Sequence, residues 1–265
     1  MGDAMTPTEG AAVPAAGAPP QQTDVAVVGT VIERMNAILA PLAEADGVAC
    51  FGRLYLAVTE GVQQEVAGMV FADRDFLAKL DDTFAGLFFT ADDAFTQKAP
   101  TAPRAWAPLF EARGRKGIAP LQFALAGMNA HINRDLPVAL VTSFEQAGLK
   151  LETGSPQHED YLKINKLLAD VETRVKQQYL SGWLARADRL IHRVDRIDDV
   201  LAMWDIARAR DAAWTNAQAL WAVKGGDLFD QLLDTIDHTV GFAGRGLLLP
   251  ADTPLKRVGR AFKLL

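Results

Sequence analysis

The residues best suited to chemistry are His131 and Asp135, within Gly127-Met128-Asn129-Ala130-His131-Ile132-Asn133-Arg134-Asp135-Leu136. Four residues apart, they stack on one side of a helix. Such a pair suits general acid/base work, because a carboxylate orients an imidazole and offsets the charge it gains with a proton. Two more charged residues sit inside apolar helical stripes. Asp160 lies in line with Ile164, Leu167 and Val171, and Arg210 lies in line with Met203, Trp214, Ala217 and Trp221. Charges in such stripes need partners when buried. Arg210 is therefore expected to pair with Asp135 or Asp160, with His131 within reach. The candidate catalytic residues are His131, Asp135, Asp160 and Arg210. The trio His131, Asp135 and Asp160 also offers three N/O donors, so a divalent metal is a second form of the site. A structural polar network that fixes helix register is the third reading, and the spacing alone does not rank it below the others.

The elements that position these residues are helical throughout. The stretch from Ile118 to Leu149 is the longest apolar-rich segment. Pro120 fits a first helical turn, Gly127 implies a close backbone approach, and Gln122, Asn129 and Asn133 form a second polar strip. Pro137 has no N–H to give the Asn133 carbonyl, so a kink or break is expected just after the motif. Upstream, Asp24 can cap a helix to about Leu42, and a second helix covers about Val48–Val70. Asp73 or Asp75 can cap a third, to about Phe95, with a Phe76, Leu80, Phe84, Leu87, Phe88 and Phe95 stripe. A short helix is expected over Trp106–Arg113. Downstream, Ser155-Pro156 opens a helix to about Leu180, interrupted by Ser181-Gly182. Further helices follow over Leu184–Met203 and Trp204–Lys224. Asp227 caps the last, to about Val240. No alternating strand pattern and no internal repeat is present, so the fold expected is all-α: a multi-helix bundle around a long, proline-kinked central helix.

The domain expected spans 24–250. Residues 1–23, rich in Ala, Pro, Gly, Thr and Gln, read as a disordered tail with no secretory signal pattern. Residues 251–265 read as a basic amphipathic tail, with Leu255, Val258, Phe262 and Leu265 on one side, that docks on the domain or touches an anionic membrane, docking being the expectation because the tail is short. A formal charge of −6 argues against general nucleic-acid binding. The single cysteine, Cys50, excludes a disulfide framework within the chain and points to a reducing, cytoplasmic setting. No apolar run approaches the roughly 18 residues that span a bilayer.

Other motifs rank lower. The run Leu80-Asp81-Asp82-Thr83-Phe84 resembles the aspartate-rich motif of terpene cyclases, with Phe84 where the third acid would stand. Asp81-Asp82, Asp92-Asp93 and Asp198-Asp199 are expected on solvated faces. Arg186, Arg189, Arg193 and Arg196 form a basic stripe beside Asp188, His192, Asp195 and Asp199, which reads as an exposed ion-paired face. His158 and His238 are expected to be exposed. No phosphate loop, nucleophile elbow or zinc-finger spacing occurs.

The Gly127–Leu136 run resembles a bacterial family of all-helical proteins without an assigned function. Matching pieces are Leu54-Tyr55-Leu56-Ala57-Val58-Thr59, Pro103-Arg104-Ala105-Trp106, Asp160 with Asn165, and Arg210-Asp211-Ala212-Ala213-Trp214. The resemblance covers about Val25 to Lys224 and implies a helical fold. His131, Asp135 and Pro137 are also similar to the His-x-x-x-Asp motif of the all-α zinc phospholipase C and nuclease group. There Val141 stands where a further histidine belongs, and a second His-x-x-x-Glu/Asp pair is absent. The expectation is an enzyme directed at a small molecule or lipid, with metal-dependent hydrolysis as the form to test first. The competing class is a non-catalytic helical binding or interaction protein with a structural polar core.

Overall fold

A glycine near the middle of the chain lets two core helices touch. Gly127 lies so close to Phe51 that an added Cβ would fall against that ring. The computed structural model in which this is seen describes residues 22–66, 68–99, 102–186 and 205–250, with backbone alone at 22–28 and 172–186. The elements are α1 (Gln22–Leu39), α2 (Gly47–Val66), α3 (Arg74–Thr96), α4 (Ala107–Ala112), α5 (Pro120–Ala130), a π turn (His131–Asp135), α6 (Leu136–Gln146), α7 (Pro156–Arg186), α8 (Ile206–Ala222) and α9 (Asp227–Leu247). Among the described residues there is no strand, so the fold is all-α.

The rod made by α5, the π turn and α6 is the centre of the bundle. Helices α2 and α9 pack on α5, and α3 and α8 pack on α6. Helix α1 covers α2 and α3, and α7 lies along α2 and α8. One apolar core runs from Val31 to Leu248 through Phe51, Phe88, Trp106, Leu140 and Phe144. The stripes expected for α2 and α3 face it: Phe51, Leu54, Val58, Phe76, Leu80 and Phe88 are buried, and Phe84, Leu87 and Phe95 pack against them.

Helix ends follow local chemistry. Asp73 caps α3 by accepting from Phe76 N–H at 3.0 Å, and Asp205 caps α8 by accepting from Arg208 N–H at 3.0 Å. Gln122 reaches back to the Ala119 N–H at 2.9 Å and, through its amide nitrogen, to the Leu247 and Leu249 carbonyls at 2.8 Å. Asn129 donates to the Val240 carbonyl at 2.9 Å, and Asn133 to Asn129 at 3.1 Å. The second polar strip of the central segment is therefore a clamp on α9.

Three expectations need correction. The helix does not break after the His131–Asp135 motif but continues as α6 from Leu136. Instead the motif itself is a π turn, with Leu136 N–H bonded to the His131 carbonyl. Widening this turn accommodates Pro137, which lacks an N–H and would crowd the Asn133 carbonyl in a regular helix. Helix α9 runs on past Val240 to Leu247. Its Gly241 is a packing residue, since a Cβ there would come 2.6 Å from the Arg104 carbonyl oxygen. The Ser181-Gly182 pair does not interrupt α7, whose backbone is helical to Arg186. The N-terminal tail to Gln21, the basic stripe beyond Arg186 and the 251–265 tail lie outside the described residues.

Gly127→Ala should cost roughly 1–3 kcal/mol, because the added methyl overpacks the α2–α5 contact. Gly86→Ala should instead gain about 0.5–1 kcal/mol, since α3 loses a mid-helix glycine and the new Cβ meets nothing within 4 Å. Urea unfolding of both variants checks this. Equal effects of one sign would show that the close approach is not a constraint.

Candidate functional site

The π turn brings His131 and Asp135 together inside the bundle. Both are buried, and His131 Nδ1 lies 3.4 Å from Asp135 Oδ2. The same Oδ2 accepts from the indole N–H of Trp106 at 2.9 Å. Oδ1 accepts from Arg134 Nη1 at 2.9 Å. Arg134 Nε in turn lies 3.5 Å from Asp237 of α9, whose carboxylate accepts the Arg104 and Ala105 N–H groups at 2.7 and 3.0 Å. One carboxylate thus ties the π turn to the loop before α4 and, through Arg134, to α9.

Aromatic rings fix the imidazole. Phe84 stacks on it with centroids 3.6 Å apart and planes 7° off parallel, and Tyr55 meets it edge-on at 4.5 Å. Burial holds the imidazole below its usual pKa, against the upward pull of Asp135. A neutral ring beside a carboxylate carries its proton on Nδ1, which leaves the Nε2 lone pair free to accept. Nε2 is sealed from solvent and has no hydrogen-bond partner.

His131 lines a cavity of about 210 Å³ bounded by α2, α3, α7, α8 and the central rod. Its walls are largely branched aliphatic, with Val58, Val62, Leu77, Ile132, Leu168 and Ile206 among them. Two further residues of the wall carry an orphaned polar atom, the Tyr55 hydroxyl and Asp81 Oδ2. Burial pushes the Asp81 carboxyl up to about 6, although the Arg210 charge pulls it down. Burial likewise holds the Tyr55 phenol well above its usual value.

Arg210 is in the same wall and is nearly buried. Its Nε donates to Asn165 at 2.5 Å, and its guanidinium lies over the Tyr161 ring at 4.5 Å. Tyr161 in turn donates its hydroxyl to the Arg210 carbonyl at 2.7 Å. The predicted salt bridge to Asp135 or Asp160 does not form. The oxygens of Asp135 are occupied as described. Asp160 accepts the Asp73 N–H at 2.8 Å and Lys163 Nζ at 2.8 Å, so it anchors the start of α3. Among the described residues no salt bridge reaches Arg210, and neither Nη atom has an acceptor. The three-donor metal set is not assembled either. Asp160 is committed elsewhere, and no three His, Cys, Asp or Glu side chains among the described residues group to hold a metal ion.

Sequence reasoning placed Asp81 on a solvated face, yet it is a wall residue of the cavity. Tyr55 and Trp106 were not singled out as site residues, although both fall within the short pieces that carry the family resemblance. His158 is half-buried rather than exposed, packed on Trp214 at 4.4 Å. His238 is exposed as expected, next to Arg104 and Asp234. Cys50 is buried, and burial pushes its thiol up to about 11, so it offers no thiolate.

Two outcomes follow from this geometry. Asp135→Ala strands the Arg134 guanidinium and the Trp106 N–H, at a cost of roughly 3–5 kcal/mol. Breaking the exposed Arg34–Asp93 pair by Asp93→Ala should cost less than about 1 kcal/mol. Chemical denaturation of the two variants compares them, and equal losses would contradict the hub role of Asp135. For Asp81 the sign is unfavourable to the fold. Its folded-state value of about 6 exceeds the reference 3.8, so the folded chain holds a proton that the unfolded chain releases. Stability therefore falls as pH rises between about 4 and 6, by at most about 3 kcal/mol, and stays low above that. Asp81→Asn should raise Tm at pH 7.5 and leave it nearly unchanged at pH 4. The same gain at both pH values would refute the burial penalty.

A family model described as a family of unknown function, DUF5995, matches residues 28–250. No curated protein and no solved structure matches the chain. The matched span holds every residue of the His131–Asp135 hub and of the cavity wall. On that match the chain belongs to the DUF5995 family.

Proposed function

We propose that this chain is an enzyme acting on a small apolar or lipid-like molecule, with His131 as its general acid/base. One observation carries the reading. Three residues lining a single apolar cavity each hold a buried polar atom without a partner: His131 Nε2, the Tyr55 hydroxyl and Asp81 Oδ2. Leaving such an atom unsatisfied costs about 1–3 kcal/mol, and a fold tolerates several in one place where a bound molecule completes them.

The chemistry follows from the hub. Asp135 holds the Nδ1–H and stabilises the imidazolium that forms when Nε2 takes a proton. In hydrolysis of an ester, Nε2 would remove a proton from water as its oxygen attacks the carbonyl carbon. Arg210 supplies positive charge for the developing oxyanion. Collapse of the tetrahedral intermediate breaks the bond to the leaving alcohol, and Nε2 returns the proton to it. The metal-dependent form of the reaction lacks its third donor, because Asp160 is bound to Asp73 and Lys163.

The competing reading is a non-catalytic binding protein. The sealing of Nε2 from solvent favours it, since a base needs contact with its substrate. Hydrolysis of p-nitrophenyl decanoate separates the two. The enzyme reading predicts turnover that drops by about 10²–10⁴ in His131→Asn, with helical content and Tm near wild type. Turnover unchanged in His131→Asn would remove His131 from the chemistry. Decanoyl-ester binding without turnover would leave the binding protein.

A further inference from the structure

We propose that the cavity takes a monoanionic amphiphile, a carboxylate on an aliphatic chain, with the carboxylate seated on Arg210. This rests on reading the cavity as a ligand site. It adds the chemical class of the ligand and the residue that selects it.

Two arginines line the cavity, Arg74 and Arg210, and Arg210 is the one that is nearly buried. It is held in place from two sides, by Asn165 on Nε and by the Tyr161 ring under its guanidinium. Its two Nη atoms, the pair that grips a carboxylate bidentately, have no acceptor among the described residues. A nearly buried guanidinium that makes no ion pair among the described residues is unfavourable until an anion arrives. The positive charge of Arg210 acts on Asp81, Tyr55 and His131 together, so the polar part of the wall lies within its field.

The remaining wall residues define the other half of the ligand. Val58, Val62, Val66, Leu77, Leu168 and Ile206 offer branched aliphatic surface, which suits a saturated chain. The Tyr55 hydroxyl in the same wall is a donor that an anionic head can use.

Isothermal titration of the full-length chain with decanoate and with decanol, each below its aggregation limit, tests this. Decanoate should bind at least tenfold more tightly than decanol to the wild type. In Arg210→Gln the preference should vanish while decanol binding persists. Decanol binding as tightly as decanoate to the wild type would overturn the assignment, whether or not Arg210→Gln folds. The same holds if Arg210→Gln folds and keeps the preference. In those cases turnover of the decanoyl ester, if seen, would still support the enzyme reading, so the two fail separately. Absence of binding by both probes would overturn the ligand class and the cavity reading together.

Discussion

The buried carboxylate of Asp135 is the contact on which the rest of this structure depends. It is wholly excluded from solvent, and it accepts from an indole, a guanidinium and an imidazole that come from two separate stretches of the chain. A carboxylate in that position is stable only while its donors stay in place. It therefore fixes the loop before α4 through Trp106, the last helix through Arg134 and Asp237, and the tautomer of His131. The π turn makes this possible. A regular helix would place the same side chains near one another, but Pro137 demands a wider turn just where the motif falls. π turns inside helices are frequent at functional positions, since they re-aim side chains without ending the rod.

Around this hub the fold carries costs that packing alone does not require. Asp81 resists ionisation, and the Tyr55 hydroxyl and His131 Nε2 are unpartnered. All three belong to the wall of one aliphatic cavity, and the wall also carries an arginine without a carboxylate partner among the described residues. Elsewhere in the bundle Asp160 on the α3 N-terminus and Gln122 on the end of α9 are paired, while the Ser143 hydroxyl on α6 also lacks a hydrogen-bond partner. Three of the unpartnered polar atoms are thus gathered in the wall of one cavity.

Helical periodicity makes burial legible, and burial is where the sequence reading is strongest. His131, Asp135, Asp160 and Arg210 stand in apolar stripes, and all four are inside. The spacing of four also predicts the contact between His131 and Asp135, because neighbours on one helix need no tertiary information. The pairing of Arg210 with an acid fails for the opposite reason. A stripe says that a residue faces the core, not which helix it meets there, and Asp160 meets the α3 N-terminus instead. Asp81 is illegible for a related reason. Its neighbour Asp82 is exposed, and a pair of adjacent acids reads as surface unless the packing of α3 against α6 and α7 is known. Gly127 was read correctly as a close approach. The packing role of Gly241 is not legible in the sequence, because the carbonyl it packs against comes from a distant loop.

The central claim is that His131 is a neutral imidazole, protonated on Nδ1 toward Asp135, with Nε2 kept for a ligand. Nitrogen-15 NMR of the imidazole in the full-length chain reads this directly. The account predicts the Nδ1–H tautomer at neutral pH, protonation of Nε2 only below the usual histidine range, and a shift of the Nε2 resonance when decanoate is added. An imidazolium at neutral pH, or the opposite tautomer with Nε2 protonated and unmoved by decanoate, would contradict it.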